Sequence, residues 1–445
     1  MATIRAAVAA IPLAAFVMSF AVARPQEPAP AAPKPPPAAA SQVSSLFAGR
    51  AARREQCKDA RLVEAVRAGV GWLLAHQDAN GQWDCEQFFK HDPKDDQCTG
   101  SGGRQYDIGI TALALLAVLA QADPLHAEPA HKAADWLTHS LDRDGRVSSP
   151  LVDFMYLHVL ATLALVEMSA LFGNERHRAA ANAALRYVDR HRNLYGAWRY
   201  KPNDNDNDTS LTAWCLAANA EALHAGFKVP ADSCGTALAW LDGVTDFMSG
   251  HAGYQTRGEP SARLPGDHVE RFPKDRTHAM TAAALHCRLL MGLAPDSKLA
   301  LAAAELQLQI PPSLQPPDLY YWFHASSAAA LMPSCPASRK WEAAVQKALL
   351  ASQGKDKSRK GSWDPIDVWG QVGGRVQTTA FAVLALSSPW RLERLDARAQ
   401  VIDQVPLRKL FALVGAGKVG EATAELDRFP PAALPPASVP GLERL

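Results

Sequence analysis

Residues 108–117 read IGITALALLA, and five further stretches share their make-up: LHVLATLALV at 157–166, TSLTAWCLAA at 209–218, HAMTAAALHC at 278–287, FHASSAAALM at 323–332 and VQTTAFAVLAL at 376–386. Each is a run of small and apolar residues with a hydroxyl at a matching place. Those places are Thr111, Thr162, Thr212, Thr281, Ser327 and Thr379, at intervals of 51, 50, 69, 46 and 52 residues. A period near fifty marks a repeat built from one supersecondary unit. The long interval contains the Gly-, Pro- and charge-rich stretch Ser249 to Asp275, which reads as one inserted loop.

Between these runs lies a second set, at 62–76, 130–140, 176–191, 237–247, 297–309 and 341–353, with apolar residues three and four apart and polar residues between. Most are followed by a glycine turn, often with an aromatic: QDANGQW at 77–83, DRDGRV at 142–147, YGAW at 195–198, HAGY at 251–254 and GSWD at 361–364. Glycine ends a helix in a left-handed cap, and the aromatic is expected to plug the gap between neighbouring repeats. Helices of the first set are apolar nearly all round and must be buried, whereas the second set keeps a polar face and must lie outside. Six inner helices ringed by six outer ones predict an all-α fold, a closed α/α six-barrel or toroid, over residues 55–390. Alternating Val/Ile/Thr runs are scarce, so strands are not expected.

The chain has 445 residues and a formal net charge of +1. It therefore lacks the basic field a phosphate backbone requires, which argues against nucleic acid as a partner. At the N-terminus Arg5 precedes an apolar run from Ala6 to Val22, with Ala21 and Ala23 forming a small-residue cleavage site. Residues 1–23 thus read as a signal peptide and the protein as exported, periplasmic or extracellular. Left uncleaved, the same run would act as a membrane tether. Residues 24–54 read as a Pro/Ala-rich linker, and 391–445 as a tail of two helical segments with a Pro-rich end. Of seven cysteines, Cys85 and Cys98 bracket a polar loop that a disulfide is expected to close, while Cys215 and Cys287 fall in apolar helices as buried thiols.

QDANGQW at 77–83 fits the Q-x(2–5)-G-x-W repeat of the squalene–hopene cyclases, and the pattern over about residues 60–390 resembles the prenyltransferase and squalene oxidocyclase repeat superfamily. The resemblance implies a barrel of the terpenoid cyclase/protein prenyltransferase type, with its chemistry where the N-terminal ends of the inner helices converge. Carboxylates, imidazoles and aromatics gather at those ends. Asp107, Tyr156, Trp214, Tyr321, Trp322, His324 and Gln377 are the expected ligand-binding residues.

The third inner helix is entered through NDNDNDTSLTAWCL at 203–216, which admits two readings. Asp208 is well placed to cap the helix and complement its dipole. Alternatively the carboxylates carry chemistry. Aligned on the D-x-D-D acid motif of class II cyclases, the stretch puts Asn207 where the proton donor belongs, and an amide has no acidic proton to give. Aligned on the zinc site of protein prenyltransferases, Asp206-Asn207-Asp208 and Asp275-Arg276-Thr277-His278 take the places of the ligands, with Asp208 standing for the cysteine thiolate. A hard divalent metal held by Asp206, Asp208 and His278, acting as the catalytic group, is then the expected site.

No G-x-S-x-G elbow, H-E-x-x-H, P-loop or thioester-type run occurs. The expected function is binding of an apolar or isoprenoid-like ligand, or of a protein partner, through the central cavity. The alternative is metal-assisted lyase or transferase chemistry, on an isoprenoid or a polysaccharide, at the helix mouth.

Overall fold

The computed structural model describes residues 49–193, 196–392, 413 and 418–426. The signal peptide, nearly all of the linker and most of the C-terminal tail lie outside the described residues. Fifteen α-helices are described there. They are α1 (Arg50–Glu55), α2 (Ala60–Ala75), α3 (Asp107–Leu119), α4 (Ala127–His139), α5 (Met155–Phe172), α6 (Glu175–His191), α7 (Thr209–His224) and α8 (Ala231–Gly243), followed by α9 (Asp267–Arg271), α10 (Ala279–Leu290), α11 (Lys298–Gln307), α12 (Leu319–Leu331), α13 (Pro336–Ser352), α14 (Gly370–Arg391) and α15 (Val419–Leu426). Among the described residues β-pairing is confined to two isolated bridges at glycine turns, Leu141 with Val147 and Thr245 with Ala252.

The six small-residue runs are α3, α5, α7, α10, α12 and α14. Each packs on the next, and α14 returns to α3, so the inner layer is a closed ring. Their burial explains their composition: α10 is buried at all of its positions, and α3 at all but Ile108. Alanine and threonine let helices approach closely on both sides at once. The outer helices bury one stripe only. In α6 it is His177, Ala180, Ala181, Ala184, Leu185, Val188 and His191, three and four residues apart, the spacing that keeps one face of a helix inward. The fold is the α/α toroid expected from the repeat.

A repeated clasp uses four of the six matched hydroxyls. Backbone N–H groups of Trp83, Trp198, Ala252 and Trp363 donate to the hydroxyls of Thr111, Thr212, Thr281 and Thr379 at 3.0, 3.2, 3.1 and 3.2 Å. The indole N–H groups of Trp83, Trp198 and Trp363 in turn donate to Leu73, Val188 and Leu349 carbonyls of the preceding outer helix, at 2.7, 2.8 and 2.9 Å. Three of these turns thus tie one inner helix to one outer helix through a buried tryptophan. Gly81 and Gly361 adopt φ of 98° and 95°, and a Cβ on either would sit 2.3 Å from a backbone oxygen of the next outer helix, Lys132 and Ala68 respectively. Glycine is required there by conformation and by space.

Two helices lie across the expected domain bounds, and one expectation, a disulfide, is corrected. Helix α1 lies within the stretch read as linker, yet Arg50 is buried and donates to Glu167 Oε2 (3.0 Å), Leu119 O (2.9 Å) and Arg391 O (2.7 Å). Helix α14 runs through Pro389 to Arg391, which pairs with Glu167 and Glu221. Cys85 and Cys98 form no disulfide. The Cys85 thiol donates to Asp107 Oδ1 and Gly103 O, both at 3.1 Å, and the loop is closed by Asp92, which accepts from Cys98 N–H (2.8 Å) and bonds His76 Nε2 (2.9 Å).

Candidate functional site

All six inner helices contribute the first turns of their N-terminal ends to one cavity of about 290 Å³: Ile110 from α3, Tyr156 and Leu160 from α5, Ser210 and Trp214 from α7, Met280 from α10, Tyr320 from α12, Gln377 and Phe381 from α14. Its lining is mainly apolar and aromatic. Ser261, Ala262, Arg263 and Leu264 line it too, so the insertion read from the long repeat interval lies against the mouth. Arg263 holds this segment: its guanidinium donates to Phe272 O (3.0 Å) and Ala262 O (2.9 Å) and pairs with Asp318 at 3.5 Å. His268 of α9 bonds Val368 O at 2.8 Å, fixing the other end.

The Asn/Asp stretch beside the cavity is a built turn. Asn203 and Asn205 take left-handed φ of 56° and 61°, which short polar side chains tolerate. Asn193 holds the turn, accepting from Asp204 N–H (3.0 Å) and donating to Asp206 O (2.7 Å). Asn207, at the position of the cyclase acid, accepts from Ala197 N–H (2.8 Å) and Asn193 Nδ2 (3.0 Å), a structural part. Asp208 caps α7 by accepting from Leu211 N–H at 2.8 Å; its other oxygen accepts from the Tyr254 hydroxyl at 3.2 Å and lies 3.3 Å from Arg199 Nε. Burial pushes the Asp208 carboxyl up to about 6, against the pull of its cap bond and Arg199. Asp206 pairs with Arg199 at 2.5 Å and accepts from Gln255 at 2.8 Å.

His278 is not part of this group. Its ring faces His251 at 5.9 Å, and burial pushes its pKa down to about 4. Among the described residues no three His, Cys, Asp or Glu side chains are placed to hold a metal ion. Asp206, Asp208 and His278 do not come together as the expected ligand set: both carboxylates pair with Arg199, and His278 lies against His251.

Of the expected ligand-binding residues, Tyr156, Trp214 and Gln377 line the cavity, and Asp107, Tyr321, Trp322 and His324 do not. Asp107 is taken up by Cys85. Tyr321 points outward, donating to Gln307 O at 2.9 Å and packing on Trp341. Trp322 is buried away from the cavity. His324 lies behind the cavity wall: its ring is 4.8 Å from Trp214 and 4.7 Å from Tyr320, and its Nδ1 meets His286 Nδ1 at 3.2 Å. Burial lowers the pKa of both histidines, so the pair is neutral.

Tyr200, Tyr254, Arg263 and Trp369 line the cavity without having been expected there. Two of them share a signal. Tyr200 and Tyr254 each stand two residues after a clasp residue, Trp198 and Ala252, so in the HAGY turn alanine takes the place of the plug and the tyrosine turns to the cavity.

Neither a protein-family model nor a curated protein matches the chain. Solved structures do. An inactive variant of the α-1,6-mannanase of Salegentibacter sp. HEL1_6, in complex with α-1,6-mannotetrose, is similar over 74% of this chain and 99% of its own at 11% identity and a TM-score of 0.49. The type II terpene cyclase MstE from Scytonema is similar over 74% of this chain and 98% of its own at 14% identity and a TM-score of 0.48. At these scores the likenesses carry no chemistry across, and the fold rests on the closed ring of helices itself.

Proposed function

We propose that this protein binds an apolar or isoprenoid-like small molecule in the cavity at the mouth of the barrel. The observation that carries the reading is the cavity itself: six helix ends and one inserted segment surround a space lined chiefly by apolar and aromatic side chains, with few polar groups. Burying apolar surface there would supply affinity at about 25 cal/mol per Å² of area removed from water, and the hydroxyls would fix orientation. Acid-initiated cyclisation has less support. Asn207 is bound into the turn, and a carboxyl group held near 6, as Asp208 is, is a weak acid for protonating an alkene. Export, read from residues 1–23, would place this binding outside the cytoplasm.

The test is solvent extraction of natively purified protein, followed by mass spectrometry and by titration of the stripped protein with decan-1-ol. A co-purifying apolar compound, or saturable decan-1-ol binding at one site, supports the reading. An empty extract together with no binding overturns it.

A further inference from the structure

We propose that the polar end this cavity selects is a cation, so that the ligand is an apolar molecule carrying an ammonium group held against aromatic faces and Asp153. The proposal rests on the ligand-binding reading above and specifies its chemistry.

The first observation is the wall. Tyr156, Tyr200, Trp214, Tyr254 and Tyr320 line the cavity together. Aromatic faces carry the negative side of a quadrupole, and a cation over them in a partly dry site gains more than it would in water. The second is Asp153, just before α5. Its side chain lines the cavity and has no hydrogen bond or ion pair among the described residues, whereas its backbone carbonyl accepts from Tyr156 N–H at 3.1 Å. A half-buried carboxylate with no partner is a ready counter-charge.

The third is the balance of charge. Arg263 is the cationic side chain on the wall, and its guanidinium is already committed to Phe272 O, Ala262 O and Asp318. Arg199 lies over one face each of the Tyr200 and Tyr254 rings, at 5.0 and 5.6 Å, and is shared by Asp206 and Asp208. Four carboxylates, those of Asp153, Asp206, Asp208 and Asp318, thus face two guanidiniums. Some hydroxyl donors are in use: Tyr254 donates to Asp208, and Ser210 and Tyr320 bond each other at 2.9 Å, while the wall hydroxyls of Tyr156 and Ser261 are not among them. An anionic head group would meet repulsion from Asp153, and a neutral alcohol could donate one hydrogen bond to it but would bring no opposite charge.

The test uses three probes of equal chain length below their micelle concentrations: decyltrimethylammonium, decan-1-ol and decanoate, titrated calorimetrically into the full chain. The ammonium is expected to bind about tenfold more tightly than the alcohol, with decanoate weakest. In Asp153→Asn, which breaks no bond in the folded protein, the ratio of ammonium to alcohol affinity should shrink to about twofold or less. Alcohol or decanoate binding as tightly as the ammonium, or a preference that survives Asp153→Asn, overturns the proposal and leaves the ligand-binding reading standing. Binding of none of the three overturns the proposal, and together with an empty extract it overturns the ligand-binding reading as well.

Discussion

The Tyr254 hydroxyl donates to Asp208 Oδ2 at 3.2 Å, joining a residue of the cavity wall to the cap of the third inner helix. Asp208 is fully buried, and its carboxyl is pushed from an ordinary 3.8 to about 6, so the folded protein holds this proton more tightly than the unfolded chain does. The sign follows. Its contribution to stability falls as pH rises from about 4 to about 6, and is level above that. Asp208→Asn keeps a cap acceptor but does not titrate. In urea unfolding, the stability of wild type relative to this variant should drop by about 2 kcal/mol between pH 4.5 and 7. A difference that stays constant with pH would show that Asp208 is not the buried acid described.

Thr212 and Thr162 occupy matching places in the repeat but do different work. Thr212 accepts from the buried backbone N–H of Trp198 at 3.2 Å, whereas Thr162 only donates to His158 O in its own helix at 2.8 Å. Valine in place of Thr212 strands a buried donor and should cost about 1–3 kcal/mol. The same change at Thr162 leaves no donor without a partner and should stay within about 0.5 kcal/mol. Equal losses in denaturant unfolding would refute the clasp.

Arg50, Glu167, Glu221 and Arg391 close the far end of the barrel as a buried charge cluster. Removing one partner leaves a charge uncompensated away from water. Arg50→Met should therefore destabilise by about 3–5 kcal/mol, and adding Glu167→Gln should recover part of the loss. Insensitivity to Arg50→Met would mean that α1 is not a working part of the barrel.

The Cys85 thiol is a hydrogen-bond donor lying 3.1 Å from both Asp107 Oδ1 and Gly103 O, and it is not bridged to Cys98. Burial and the neighbouring carboxylate raise its pKa far above that of an ordinary thiol, which makes it inert while folded. Titration with a thiol reagent in denaturant, without reductant, should count all seven cysteines as thiols. A count of five, with Cys85 and Cys98 found joined in a non-reduced peptide digest, would restore the disulfide that the loop's composition suggests.

The ring of helices was legible because burial on every side leaves its mark on composition: α10 had to be small and apolar throughout, and the matched threonines betrayed the period. The site was legible only where helix periodicity governs it. Tyr156, Trp214 and Gln377 sit within the first three turns of inner helices and line the cavity, whereas consecutive rings at Tyr321 and Trp322 are turned about 100° apart and cannot both do so. What escaped detection depends on long-range contacts. Arg199 gathers Asp206 and Asp208 from seven and nine residues away, Arg263 reaches the cavity from a loop with no periodicity, and Tyr254 does so because Ala252 fills the clasp.

The measurement that bears most directly on the account is calorimetric titration of decan-1-ol into the wild type and into Ala279→Phe, whose ring would occupy the cavity beside Met280. The account predicts saturable binding at one site in the wild type and its loss in the filled variant, with unchanged helical circular dichroism. No binding to the wild type, or equal binding to both, would contradict it.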